Sequence, residues 1–294
     1  MDEESLGLLF AGLCALNGAF VPAFAKLTTN AGAPLFVAAA TTVFAAAAAT
    51  SVLALRGDLR ELFHLRRLPR LVIIGAVGTA AAFGLFYAGT QRSTAIEAVI
   101  CLQSEPAYSL LAAWLFLGHR PTRRRVLAIA VLLFGIALAV GPNGFEGSTG
   151  VWLLLATPIC WQASHLVVLR GLAGVTPPVL SAARYLYGGS VLVLFWLVTG
   201  GAADLPAGPV RTTLLPLLAI QGVILSYVGT LLWYQAIRRL DLARTTAIVV
   251  PSIPLLSLVA SFLLVGEIPS AAQSAGLILT AAGVLAFVTA PHQQ

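Results

Sequence analysis

Ionisable side chains inside long apolar runs carry the chemistry here, because a hydrocarbon setting costs a charge roughly 2.5–3.5 kcal/mol on insertion scales. Glu105 is the clearest case, about eleven residues into the apolar run 94–117. A carboxyl at that depth can accept a proton or pair with a substrate ammonium; the alternative is a protonated or hydrogen-bonded acid packed against a neighbouring helix. Glu97, near the outer end of the same run, is explained as well by reaching the interface as by function. Arg184, about seven residues into the run 177–200, can also reach an interface, which favours a structural role. His165 follows Trp161 by one turn in the run 150–170, on a helix face that includes Pro158.

Prolines add a second kind of chemistry. Each lacks an N–H and frees the carbonyl four residues earlier, so Pro106 releases Leu102, and Pro251 and Pro254 release Ala247 and Val250. Freed carbonyls in a membrane need a partner or a wet cavity, and the fourth and ninth apolar runs are therefore expected to break at matching depth, at a site or gate. Gln103 and Ser252 stand beside these breaks and join the candidate set. Aromatic residues complete it. Phe83 and Tyr87 are four apart, Tyr227 and Tyr234 seven apart with Trp233 beside them, and Tyr108 lies one turn from Glu105. These could wall a pocket for a partly apolar solute or serve only as packing, while Trp114, Trp152 and Trp196 lie near run ends, where interfacial aromatics belong.

Enzyme chemistry has little to build on. The chain contains no H-E-x-x-H, no Gly-x-Ser-x-Gly elbow and no metal-ligand spacing. Cys14, Cys101 and Cys160 lie in apolar stretches and read as small hydrophobic fillers. No cofactor is expected. A channel would need polar groups along a continuous pore, whereas the polar residues here gather near mid-run.

The elements that hold these residues are membrane spans. Charged residues are only 10% of the 294 and hydrophobic residues 59%, against about 25% charged in soluble domains. Ten apolar runs can be marked off, at 5–27, 33–55, 71–90, 94–117, 124–141, 150–170, 177–200, 211–237, 242–265 and 270–289. Each approaches the ~20 residues a helix needs to cross hydrocarbon, and continuous rather than alternating hydrophobicity makes them helices. The acidic start MDEES lacks the basic region of a secretory signal, so the first run should remain as a span.

The net charge of +6 does not indicate nucleic acid, because the basic residues lie in short clusters between runs. Thirteen of the 17 Lys and Arg fall in even-numbered loops and three in odd-numbered loops or run ends. The positive-inside rule then puts the even-numbered loops and both termini in the cytoplasm.

The runs divide into two halves, 1–142 and 143–294. Pro106 and Pro254, Gly118 and Gly266, Pro121 and Pro269, and Gly135 and Gly283 all lie 148 apart, and Lys26 and Arg170, which close the first run of each half, lie 144 apart. Five runs per half, an odd number, require the second half to be inverted, a recurrent plan of secondary transporters with substrate held between the halves. At the 144 offset, Trp161 and His165 correspond to Asn17 and Val21, so the site is expected to be asymmetric.

The segment Trp233–Phe287, with Val265-Gly266-Glu267, Pro269, Gln273 and Gly276, resembles the EamA-type members of the drug/metabolite transporter superfamily, and residues 5–140 match more loosely. That resemblance implies ten helices and export or exchange of small metabolites, amino acids among them, without ATP hydrolysis. Aromatic amino acid exporters of the YddG type are the first members to compare. His119 stands where the family often has Glu, and Glu267 reads as a structural corner or helix-end anchor.

The expected protein is an all-α, ten-helix secondary active or facilitative transporter of a bacterial inner membrane. It moves a small metabolite outward by alternating access, an aromatic or other apolar amino acid first, with proton coupling through Glu105 open. A lipid-linked sugar flippase or a drug or nucleoside exporter is the alternative. The candidate binding residues are Asn17, Phe83, Tyr87, Gln103, Glu105, Tyr108, Trp161, His165, Tyr227, Trp233 and Ser252, with Pro106, Pro251 and Pro254 as helix breaks. The partners are a small-molecule substrate and the lipid bilayer.

Overall fold

The computed structural model describes residues 2–172, 174–201, 205–240 and 242–290. Ten helices are long and apolar enough to cross a membrane. In chain order they are α1 (Glu3–Ala31), α2 (Pro34–Leu55), α3 (Leu68–Gln91), α4 (Ala95–Leu117), α5 (Arg123–Pro142), α6 (Thr149–Gly171), α7 (Pro177–Val198), α8 (Val210–Leu240), α9 (Leu242–Val265) and α10 (Ala271–Thr289). They match the ten apolar runs closely. Large apolar side chains such as Leu115, Phe134, Phe195, Phe262 and Ile278 stay exposed around the perimeter, as expected for a surface solvated by lipid.

Side chains close the helix starts. Thr94 and Glu97 form a reciprocal capping box at α4, as do Ser270 and Gln273 at α10, and Thr122 caps α5 through the Arg125 N–H. Glu97 thus has a local role, in place of the interfacial reach that its position suggested.

The helices pack as an inverted pair of five-helix units. Helix α1 lies against α8 and α9, and its counterpart α6 against α3 and α4; α2 packs on α7, and α5 on α10. The α5–α10 seam is tight because glycine permits backbone contact: a Cβ on Gly135 would lie 2.7 Å from the Gly276 carbonyl, and one on Gly283 would lie 2.7 Å from the Leu132 backbone N. Gly135 and Gly283 are the pair 148 residues apart, so each half contributes the same notch.

Three spans are not plain α-helices. Helix α4 stops at Leu102, turns through Gln103 and Ser104, and restarts at Glu105 with Pro106 in its first turn, where a missing N–H costs nothing. The expected break at Pro106 is present, but α9 runs unbroken from Leu242 to Val265 through Pro251 and Pro254. A proline in mid-helix need not end it once neighbours accommodate the freed carbonyl. The second half is instead distorted in α8, where Ile220–Val228 winds as a π-helix, and Ala76–Ala81 of α3 does the same. The two wide-turn stretches begin 144 residues apart.

Candidate functional site

The second half of α4 sets the shape of the site. Its first half, Ala95–Leu102, packs against α1, α5, α6 and α9, whereas Glu105–Leu117 packs mainly on α6. No residue from Glu105 to Leu117 is buried. Between this segment and α9 and α10 lies a cavity of about 580 Å³, lined by Ser109, Leu110 and Ala113 of α4, His119 and Arg120 of the next loop, and Thr246 and Phe287 opposite. It lies at the arginine-rich end of the bundle. At the other end a contact ties α9's corner to α4: the Glu267 carboxylate accepts hydrogen bonds from the Ala95 and Ile96 N–H groups at 3.0 and 3.1 Å. Glu267 is therefore a helix-end anchor, on α4 rather than on its own corner.

A polar cluster lies where α4 restarts. Gln162 of α6 donates to Glu105 Oε1 at 3.0 Å. Arg184 of α7 donates through Nη2 to the Gly78 carbonyl at 3.0 Å, and its charge acts on both Glu105 and His165. Its buried Nε has no hydrogen-bond partner among the described residues. His165 and Arg184 share a pocket of about 110 Å³ with Ser164, Ser181, Thr230 and Tyr234, which joins α6, α7 and α8. Acid, base and neutral donors from four helices thus converge.

The wide turns explain why Arg184 stands there. A π-turn displaces carbonyls from the regular ladder, and each stretch recruits outside donors. In α3 the Gly78 carbonyl takes Arg184. In α8 the Ile224 carbonyl takes Asn17 Nδ2 at 2.9 Å, and the Ser226 carbonyl takes the Tyr185 hydroxyl at 3.1 Å. Gly78 has no room for a side chain, since a Cβ there would lie 2.3 Å from Ser164 Oγ.

Of the residues singled out from sequence, Glu105 and His165 belong to this cluster. Tyr108 is half-buried one turn below Glu105, and Trp161 is half-buried one turn before His165. Gln103 is buried in the α4 turn itself. Asn17 is tied to the α8 wide turn. Tyr87 is 2% exposed and packed with Phe83 and Phe86, and Tyr227 is 4% exposed in the core against α2 and α7, so both lie in closed packing. Phe83 bridges the two cores. Trp233 packs against the α1–α8–α9 core, and Ser252 spends its hydroxyl on the Ile248 carbonyl. Sequence reasoning missed Gln162, Ser164, Ser181 and Thr230. Gln162 had a readable signal, as an amide in mid-span beside Trp161.

An inverted pair of five-helix units with a polar cluster at the break of one helix is the architecture of a membrane carrier. The EamA-like transporter family model matches residues 5–141 and again 148–289, and the chain belongs to that family. It is 30% identical over 75% of its length, and 73% of the other's, to a probable terminal-alkyne amino-acid exporter of Streptantibioticus cattleyicolor. It is 22% identical to an uncharacterized transporter, YyaM, of Bacillus subtilis (73% of this chain, 71% of that one) and to an uncharacterized transporter of Archaeoglobus fulgidus (76% and 77%). A crystal structure of a protein at 18% identity covers 96% of both chains with a TM-score of 0.67, a likeness of fold alone. The protein is an integral membrane transporter of a small molecule, and not an enzyme.

Proposed function

We propose that the protein carries an α-amino acid with an apolar or aromatic side chain outward across a bacterial inner membrane by alternating access. The observation that carries this reading is an acid and a base placed together in mid-membrane: Glu105, held by Gln162, within electrostatic reach of Arg184. A zwitterion presents an ammonium to the carboxylate and a carboxylate to the guanidinium, and charge-assisted bonds of this kind are roughly twice as strong as neutral ones. A nucleoside or a neutral sugar lacks both charges. His165, Thr230 and Tyr234 add donors, while Tyr108 and Trp161 give the apolar wall. The named amino-acid exporter among the relatives supports the same class.

With the arginine-rich end in the cytoplasm, substrate enters beside Glu105–Leu117. That segment then closes on α9, the far end opens, and the amino acid leaves. Pro106, where α4 restarts, is the point of bending. A proton replaces the departing ammonium on Glu105 and couples outward substrate to inward proton movement. The two halves, 1–142 and 143–294, move as the rocking units.

Counterflow in proteoliposomes tests the reading. Labelled phenylalanine, leucine and tryptophan are compared with N-acetyl-phenylalanine, phenylalanine methyl ester, a nucleoside and a cationic drug. The free amino acids should exchange, and blocking either the amino or the carboxyl end should abolish exchange. Equal flux of the blocked analogues, or flux of the nucleoside alone, overturns the proposal.

A further inference from the structure

Two helix ends meet at the arginine-rich face of the bundle, and an arginine caps each. A helix leaves its last four carbonyls unpaired and carries a partial negative charge at its C-terminus, so a cation is well placed there. Arg70, in the first turn of α3, donates through Nη1 to the carbonyl of Gly171, the last residue of α6, at 3.3 Å. Arg170 donates through Nη2 to the Phe116 carbonyl in the last turn of α4, and its guanidinium lies over the Phe116 ring, 5.8 Å from the centroid. Each cap uses one of the five N–H donors of a guanidinium, and both arginines are exposed.

The two side chains share a cavity of about 320 Å³ between α3 and α6, completed by Ile73, Leu166, Val167 and Gly171. Gly171 lets Arg70 lie close, since a Cβ there would stand 2.5 Å from Arg70 Nε. The wall then runs into the membrane. Ile73 is one turn further along α3 and 45% exposed, and Leu166 and Val167 are one turn back from Arg170 on the same face of α6. The lining contains no carboxylate. Elsewhere at this end acids neutralise arginines, Glu61 with Arg67, Glu3 with Arg239 and Glu4 with Arg244, whereas neither Arg70 nor Arg170 has an ion pair among the described residues.

The scaffold does not demand this pair. At the 144 offset the counterpart of Arg70 is Leu214, which is buried, and that of Arg170 is Lys26, whose ammonium donates to the Thr90 and Gln91 carbonyls at 3.2 and 3.1 Å. The matching positions at the opposite end therefore hold no two guanidiniums above an apolar wall.

We propose that Arg70 and Arg170 form a binding site for an anionic phospholipid, with its phosphate between the two guanidiniums and an acyl chain along Ile73, Leu166 and Val167. Guanidinium forks suit phosphate oxygens, and basic pockets between spans take anionic headgroups. The ammonium of a zwitterionic lipid finds no carboxylate in this lining, and a free phosphate leaves the apolar wall unused. Through Arg170 the bound headgroup is linked to the last turn of Glu105–Leu117. The site is separate from the substrate site proposed above.

Photo-crosslinking in vesicles tests this. The protein is reconstituted in phosphatidylcholine with a trace of phosphatidylglycerol that carries a diazirine near the top of one acyl chain. Label should fall on residues 70–73 and 166–171. Unlabelled phosphatidylglycerol should displace it, and phosphatidylethanolamine should not. Arg70→Gln with Arg170→Gln should weaken labelling about 10–30-fold. Arg60→Gln with Arg66→Gln, which removes the same charge from the adjoining loop outside the cavity, should weaken it far less. Equal loss in the two double variants, or wild-type label spread evenly over other spans, overturns the proposal. Displacement by sn-glycerol 3-phosphate as effective as that by the lipid overturns it too, because the site is then one for phosphate alone. Should the Arg70 and Arg170 double variant fail to fold, the wild-type labelling map and the competition decide the question.

Discussion

The two halves share a scaffold and divide the charge unevenly. In α3 the wide turn is served by a guanidinium, Arg184, and in α8 by the neutral groups of Asn17 and Tyr185. Glu105 at the restart of α4 corresponds to Ile253 in α9, and His165 to Val21. Helix α7 carries Arg184, whereas α2 carries no charged residue between Pro34 and Leu55. Duplication therefore supplied the fold, and the charges that can grip a substrate have no counterparts at the matching positions, Glu105 coming from the first half and His165 and Arg184 from the second. A polar substrate with two unlike ends needs that asymmetry, since a symmetric site would present the same group to both.

The comparison is most severely broken at Arg184. Arg184→Ala leaves the Gly78 carbonyl without its donor and Glu105 without its opposing charge. Stranding the buried Gly78 acceptor costs about 1–3 kcal/mol, so the melting temperature should drop, and amino-acid exchange should fall at least 100-fold. Full activity in Arg184→Ala would remove the guanidinium from the site. Glu105→Gln comes next. The amide can still accept from Gln162, so folding should hold, while exchange falls about 10–100-fold and the response to an imposed pH gradient disappears. A gradient response that survives the substitution would take the proton off Glu105.

Gly78→Ala forces a methyl against Ser164 and should destabilise the protein by about 1–3 kcal/mol. Pairing it with Ser164→Gly relieves the collision, and recovery of the melting temperature in the double variant checks that the contact, not glycine flexibility, is at stake. The smallest effect belongs to the neutral donors of the α8 wide turn. Tyr185→Phe removes one hydrogen bond to the Ser226 carbonyl, worth about 1 kcal/mol, and exchange should stay within about threefold. A collapse of transport there would mean that the α8 wide turn also handles substrate.

The ten spans were legible in the sequence because hydrocarbon tolerates only continuous apolar helices, and the repeat was legible because Gly135 and Gly283 are required by geometry. Glu105 was legible because its cost is hard to explain by packing. Arg184 was placed too near the surface: a span residue can snorkel or turn inward, and only the Gly78 carbonyl decides which. The wide turns in α3 and α8 were not legible, since no proline marks them and they depend on donors more than 100 residues away in α3 and over 40 in α8. Conversely, Pro251 and Pro254 carried a local signal for a break that the packing of α9 against α1 and α10 overrides. Tyr87 and Tyr227 show the same limit, because aromatic spacing does not distinguish a cavity wall from a core.

One consequence concerns the exposed stretch Glu105–Leu117, where Leu111, Trp114, Leu115 and Phe116 face outward. Lipid tails are as apolar as a neighbouring helix, so swinging this segment exchanges one hydrocarbon neighbour for another at little net free energy. Its resistance to motion is then set by the order and thickness of the surrounding bilayer. The membrane becomes a mechanical component of the turnover step, and carrier speed should follow acyl-chain length and saturation even where the affinity for substrate does not change.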